Sequence, residues 1–271
     1  MSALGERLRA AIPPGARPWL RRWRSLWYVG RARVCPCCGG RFRRFLAAGR
    51  PPRPGAACPR CGSLERHRLL WLYLSERTRL LTDPLRLLVI APEAQLQARL
   101  RALPRLTYVS GDLESRLAMA RMDLLRLPCR DGAFDAVLCS HVLEHVADVR
   151  RALAEIHRVL APGGWAILQS PIDPSRATTF EDPSVVSPAE RERVFGQRDH
   201  LRIFGRDYGA WLASAGFEVE VDGFVRERDP AWARLHGLDP AEDVYRCVKP
   251  VPGAVAAALT PRRGASIPRG G

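Results

Sequence analysis

Two cysteine knuckles stand near the N-terminus, "CPCCGG" at 35–40 and "CPRCGS" at 58–63. Cys35, Cys38, Cys58 and Cys61 follow the spacing C-x2-C-x19-C-x2-C. In each C-P-x-C-G turn two sulfurs face one point, and the glycine permits the tight backbone that aims N–H groups at them. Four thiolates are the tetrahedral set that zinc prefers, and four protein ligands leave no open position. The spacing therefore predicts a zinc ribbon whose Zn2+ is structural, with Cys37 left over. Cys129 and Cys139 have no base beside them in sequence, so a thiol nucleophile is not expected.

The other residues able to do chemistry follow short apolar runs. Asp112 lies in "GDLES", Asp123 in "MDLLRLP", and Ser140, His141, Glu144 and His145 in "SHVLEHV". Further on, "FGQRDHLRIFG" (195–205) holds Asp199 beside His200, with Arg202 two positions on. That trio can orient a substrate, remove its proton and hold an anionic group. The opposing interpretation is a structural network that closes a lid. "HVLEH" also fits H-x-x-E-H, a zinc-peptidase pattern. That pattern needs both histidines on a helix, whereas His141 directly follows an apolar run.

The elements that must position these residues are legible. The runs "LRLLVIA" (85–91), "LTYVS" (106–110), "FDAVLCS" (134–140) and "WAILQSP" (165–171) alternate with helical stretches such as 93–102 and 147–160. Continuous apolar strands separated by helices imply a parallel sheet covered on both faces, an α/β doubly wound fold. "FEVEVDGF" (217–224) and "DVYRCVKP" (243–250) have no long helix between them and suggest an antiparallel finish. Ligands of such sheets bind beyond the carboxyl ends of the strands. The acids gathered there, without a P-loop lysine or a G-x-G-x-x-G, are hostile to a pyrophosphate. They suit a ligand with a ribose, an adenine amino group and positive charge.

Five segments follow from this organisation: a basic amphipathic segment over 1–33, the zinc ribbon over 34–63, a connecting helix over 64–83, the main domain over 84–250, and a disordered tail over 251–271. In the first, Trp19, Leu20, Trp23, Leu26 and Trp27 recur at helical spacing with arginines opposite. Packing of the tryptophans on the neighbouring domain is favoured over a membrane or nucleic-acid surface. Ser63 is expected to cap the connecting helix, with Glu65 in its first turn and His67 on its surface.

The 271 residues carry a net charge of +15, all of it in the first third, where 18 arginines face three acids in residues 1–80. This basic arm offers a docking surface for RNA or an anionic carrier. Against that, Lys249 is the only lysine, so arginine-rich composition explains part of the excess. No apolar run reaches the roughly 18 residues of a transmembrane segment. The first twenty residues hold no uninterrupted apolar core of the signal-peptide kind. A cytoplasmic location is expected, with cysteines as thiols or metal ligands.

"MDLLRLPCRDGAFDAVLCSHVLEHVADVRRALAEIHRVLAPGGWAILQSP" (122–171) resembles the second half of a class I S-adenosylmethionine-dependent methyltransferase of the type 11-like kind. The acid before a Leu-Pro step, the Gly-x-Phe-Asp strand entry, V-L-E-H and R-V-L-x-P-G-G carry the match. The fold resemblance covers about 85–249 and implies a Rossmann-like, mostly parallel seven-stranded sheet. The whole chain is similar to a subgroup with an N-terminal zinc ribbon, through "CPRCGSLERHRLLWLYL", "IAPE" and "FGQRDHLRIFG".

The resemblance implies S-adenosyl-L-methionine as cofactor. Asp112 would hold its ribose hydroxyls, Asp123 its adenine amino group with Leu124 flanking the ring, and Ser140 and His141 its methionine end. In the first turn Ala91 and Glu93 stand where the family usually has glycines, and Val89 where it has an acid. Pro92 suits a first helical turn and Glu93 the positive helix end, from which it can face the cofactor's ammonium.

The resemblance thus points to methyl transfer to an acceptor that is a small molecule or a carrier-bound metabolite. One alternative is an RNA methyltransferase docking through the basic arm. The other is a non-catalytic binding module with a degenerate cofactor loop.

Overall fold

The computed structural model describes residues 16–49 and 51–252, with side chains from residue 21 onward. The beginning of the basic segment, the side chains of Trp19 and Leu20, and the tail from 253 lie outside the described residues. The first helix, α1, spans Ala16–Ser25 and runs into a 3-10 turn, Leu26–Tyr28. Trp23 and Trp27 are 57% and 78% exposed, and Leu26 is exposed as well. Both tryptophans thus remain largely exposed, where the sequence predicts packing on the neighbouring domain.

Two small hairpins form the ribbon. β1 (Val29–Val34) pairs antiparallel with β2 (Arg41–Phe42), and β3 (Leu46–Ala48) with β4 (Arg53–Ala57). The knuckles sit at the ends of β1 and β4. Gly39 and Gly62 take φ of +68° and +73° there, and their N–H groups donate back to Cys35 O and Cys58 O at 2.8 and 2.9 Å. Left-handed backbone costs a glycine nothing, which is why each knuckle ends on one.

Helix α2 (Glu65–Arg77) is buried along most of its length. Its leucines share one apolar core with Phe42, Phe45 and the cysteines on one side and Leu87, Val89, Trp165 and Ile167 on the other. The ribbon is thereby fused to one face of the sheet. Two expectations at its start are corrected. Ser63 is not the cap: Leu64 occupies that position, and Ser63 Oγ instead lies 3.1 Å from Cys35 Sγ and 3.3 Å from Cys61 Sγ. His67 is not on the surface: it is buried, and its Nδ1 accepts from the Leu64 N–H at 2.8 Å.

The main sheet has seven strands: β5 (Leu85–Ile90), β6 (Leu106–Asp112), β7 (Ala120–Arg121), β8 (Phe134–Ser140), β9 (Leu160–Gln169), β12 (Glu218–Asp222) and β13 (Val244–Val248). Their spatial order is β12-β13-β9-β8-β5-β6-β7. β13 runs antiparallel to both neighbours, while β5, β6, β7, β8 and β9 pair in parallel. Side chains alternate across the strands. Leu87 and Val89 join the core under α2; Leu88 and Ile90 join the opposite core, with Leu153, Ile156, Tyr208 and Leu212.

The remaining helices are α3 (Ala94–Arg101), α4 (Val149–Val159), α5 (Pro188–Phe195), α6 (Tyr208–Ala213) and α7 (Pro230–His236). α4 starts on Asp148, whose carboxylate accepts from the Arg151 N–H at 2.9 Å. A two-stranded ribbon, β10 (Phe180–Glu181) with β11 (Arg202–Ile203), covers the carboxyl edge beyond β9. This is the α/β doubly wound, mostly parallel architecture expected from the sequence. Chain order reverses between β5 and β8, and in open sheets that crevice receives ligands. Among the described residues no helix is long and apolar enough to cross a membrane.

Candidate active site and cysteine centre

The four cysteines converge. Cys35 and Cys61 sulfurs are 3.6 Å apart, Cys38 and Cys58 sulfurs 3.7 Å, and all four lie within 4.8 Å of one another. Zinc–sulfur bonds of about 2.3 Å place tetrahedral sulfurs about 3.8 Å apart, so the donor set fits Zn2+. Cys37 is outside this set of four, and its thiol donates to His67 O at 3.4 Å. Behind the cluster lies Arg68, wholly buried and without a carboxylate. Its guanidinium donates to Ala56 O, Ser63 O, His236 O and Gly237 O at 2.7–2.9 Å and stacks 4.4 Å over Phe45. One side chain thus ties the ribbon, α2 and the end of α7 together.

The second centre lies at the carboxyl edge of β5, β6 and β8. After β5 the chain turns through Ala91, whose φ is +51°, and its N–H donates to Gly111 O at 2.9 Å. The left-handed turn that glycine normally supplies is therefore present on an alanine, at a cost of about 1–2 kcal/mol. Pro92 is buried and precedes the helix, and Glu93 is the residue on which α3 begins.

Glu93 Oε1 lies 2.5 Å from Arg66 Nη2 and 2.7 Å from His67 Nε2, both on α2. Burial alone would raise the Glu93 carboxyl, but these two partners bring it down to about 2. The glutamate is thus ionised and engaged from the connecting helix.

Asp112 ends β6. Its Oδ1 takes both loop N–H groups, from Glu114 and Ser115 at 2.7 Å. Exposed Asp123 uses Oδ1 in the same way, for the Leu125 N–H at 2.8 Å, beside the buried Leu124. Ser140 ends β8, and its Oγ is buried with no hydrogen-bond partner. It faces a pocket shared with Val89, Ile90, Ala91 and Glu93. His141 follows at φ +56°, its N–H donating to Gln169 O at 2.7 Å. Asp112, Asp123 and Ser140 thus stand at or just after the ends of β6, β7 and β8, while the pocket beside the turn after β5 is lined by Ser140 and Glu93 and not by either aspartate.

Beyond β9 a cavity of about 190 Å³ is lined by Glu144, Pro171, Ile172, Asp173, Phe195, His200, Arg202 and Ile203. His200 is buried, and burial together with the nearby His145 lowers its pKa, so the imidazole is uncharged near neutral pH. Arg202 donates to Leu143 O and Val146 O at 2.8 and 2.5 Å and pairs with Glu181. It pins β11 over the 143–147 turn while lining the cavity. Asp199 is mostly exposed and accompanies His145, 3.3 Å from its Nδ1. Asp199, His200 and Arg202 are therefore brought to one edge, with His200 and Arg202 facing the cavity.

Glu144 is buried between them. Burial would raise its carboxyl, yet His141 and His145 outweigh that and hold it below its ordinary value. Sequence reasoning missed the hold of Arg66 and His67 on Glu93. It also missed Glu242, which comes from the approach to β13 and whose pKa burial raises. Arg66 and His67 are 27 and 26 positions from Glu93, and Glu242 is 101 from His141, so no local spacing signals them. Buried Cys139 and Cys247 have raised pKa values and make poor nucleophiles.

Comparison with known proteins adds the chemistry. Residues 90–168 match a family described as a methyltransferase domain. The chain is 40% identical over 91 residues to a demethylmenaquinone methyltransferase of Thermus thermophilus, covering 32% of this chain and 41% of that one. It is 29% identical over 126 residues to a 27-O-demethylrifamycin SV methyltransferase of Amycolatopsis mediterranei, covering 46% and 44%. The chain thus spans less than half the length of either relative. A solved S-adenosylmethionine-dependent methyltransferase from Mesorhizobium loti superposes with a TM-score of 0.48 and 19% identity, over 66% of this chain and 97% of that one. Residues 90–168, which match the methyltransferase-domain family, form the centre of the seven-stranded, Rossmann-like sheet.

Proposed function

We propose that the chain transfers a methyl group from S-adenosylmethionine to a small-molecule or carrier-bound acceptor lodged in the cavity beside His200. The reading is supported by the methyltransferase-domain match over residues 90–168 together with the positions of Asp112, Asp123 and Ser140 at or just after the ends of β6, β7 and β8, the last with its hydroxyl buried and unpartnered. S-adenosylmethionine supplies an electrophilic methyl group on a sulfonium. Asp112 accepts from the ribose hydroxyls. Asp123 accepts from the adenine amino group, and Leu124 flanks the ring. Ser140 and His141 line the methionine end, and Glu93, held by Arg66 and His67, contributes negative charge at the same turn.

Displacement at a methyl group is an in-line reaction, so positioning contributes most of the rate. His200 offers an unprotonated ring nitrogen to the acceptor, and Arg202 fixes the wall behind it. Four cysteines hold a structural Zn2+ that braces α2 and, through it, the cofactor turn.

Calorimetry with S-adenosylhomocysteine tests the cofactor seat. One-to-one binding that weakens about tenfold or more in Asp112→Asn supports it, since a charged hydrogen bond is worth about 1.5–3 kcal/mol. The relatives' names, both methyltransferases of small molecules, support the acceptor class.

A second reading has its own observation. The Tyr28 ring is flanked by Arg43 and Arg44 at 5.7 and 5.6 Å, just after the exposed Trp23 and Trp27 in the chain. An aromatic and arginine-rich face of this kind suits RNA. RNA binding that falls steeply with salt and disappears in Arg43→Ala/Arg44→Ala is the result that favours it.

A further inference from the structure

The methyl-transfer reading leaves a buried carboxylate, Glu144, and the neighbouring imidazole of His145 without a role. Glu144, 2% exposed, sits in the 3-10 turn Leu143–His145. Its Oε2 accepts from Ser170 Oγ at 3.0 Å, while Oε1 is buried with no hydrogen-bond partner. His141 Nδ1 and His145 Nε2 stand 3.5 and 4.0 Å from that oxygen, too long for good hydrogen bonds. A buried, half-satisfied carboxylate is costly unless something else completes it.

The surroundings show what would. His145 Nδ1 is 3.1 Å from the Asp199 carbonyl oxygen, an acceptor only, so the ring proton lies on Nδ1 and the lone pair on Nε2. A metal-binding histidine is oriented in this way, through its other nitrogen. His200, 7% exposed, stands edge-on to His145 with ring centroids 4.8 Å apart. Glu144, His145 and His200 each offer one ligand atom within 4.8 Å of the others. Three ligands on one ion with bonds of about 2.1 Å lie about 3.0–3.5 Å apart, so closure asks for side-chain movement of about an ångström or more.

We propose that Glu144, His145 and His200 form a second metal site, separate from the four cysteines, for a divalent ion of the Zn2+, Co2+ or Ni2+ class. One carboxylate oxygen with two imidazole nitrogens suits these ions, whereas Ca2+ and Mg2+ prefer all-oxygen sets. Three protein ligands leave open positions. Glu144 and His200 both line the 190 Å³ cavity, so those positions open onto it. The ligand they take is an anionic oxygen, such as a phenolate, enolate or carboxylate. Identifying that ligand with the methyl acceptor rests on the proposed function; the metal site does not. The H-x-x-E-H pattern thus acquires a meaning unlike the peptidase one, with Glu144 as ligand and the second imidazole, His200, arriving 56 positions later on a separate loop.

The test is a Co2+ titration of the full, metal-stripped chain, followed by visible absorption. Two equivalents are expected, one with the intense thiolate-to-cobalt bands of the cysteine centre and one with only weak bands from nitrogen and oxygen ligands. Glu144→Gln and His200→Gln should each weaken the second equivalent at least about 100-fold and leave the first unchanged. Half-exposed His145→Gln serves the same purpose if a buried substitution impairs folding. A single equivalent in the wild-type chain, or a second that survives all three substitutions, overturns the proposal. S-adenosylhomocysteine binding is measured on the same samples. Its failure with two metals bound defeats the methyl-transfer reading and leaves the metal site standing.

Discussion

At the scale of single residues, the cofactor turn shows backbone geometry outlasting the residue type that usually supplies it. Ala91 holds φ +51° without being glycine. Ala91→Gly should fold with no loss of stability, whereas Ala91→Val should cost about 1–2 kcal/mol in chemical denaturation, because a β-branched side chain tolerates this region poorly. Glu93 gives a pH signature. Its carboxyl is lowered from 4.5 to about 2 in the folded chain. A depressed carboxyl stabilises the fold above its unfolded pKa, and that stability is lost as pH falls through the folded one. Acid denaturation should therefore show on the order of 3 kcal/mol vanishing between about pH 4.5 and 2, and Glu93→Gln should flatten that part of the profile. The strand-end acids and the four cysteines were legible in sequence, since each is placed by local spacing. The partners that set their behaviour were not, because burial of His67 and Glu144 depends on elements remote in sequence.

At the scale of elements, the strands were read closely. β8 coincides with the expected run, while β6 and β9 extend past theirs to Asp112 and back to Leu160. Periodicity finds such runs because both faces are covered by helices. It could not find the role of α2, whose central residues, His67–Leu74, are buried on every side because the helix sits between the ribbon and the sheet in one core. Arg68 is the key to that junction. Arg68→Met should destabilise the chain by at least about 3 kcal/mol, since four buried carbonyls lose their donor at once. Thermal unfolding measures it, and Arg68→Lys should recover only part, lacking the planar fork.

At the scale of the whole molecule, the ribbon is a structural part of the enzyme domain and not a tethered appendage. Phe42, Phe45 and the cysteines lie in the same core as Leu87 and Ile167 of the sheet. Removing zinc with a chelator should lower the melting temperature of the whole chain in one transition, and weaken S-adenosylhomocysteine binding through α2. Two independent transitions, with the upper one unmoved, would show instead that the ribbon melts alone.

The central proposal is that the carboxyl edge of the sheet, with Asp112 and Asp123, seats S-adenosylmethionine. Its most direct test is titration calorimetry of S-adenosylhomocysteine into the full chain, alongside Asp112→Asn and Asp123→Asn. The account predicts saturable one-to-one binding that both substitutions weaken. Absence of any heat of binding at millimolar ligand, in a folded, zinc-loaded chain, would contradict it.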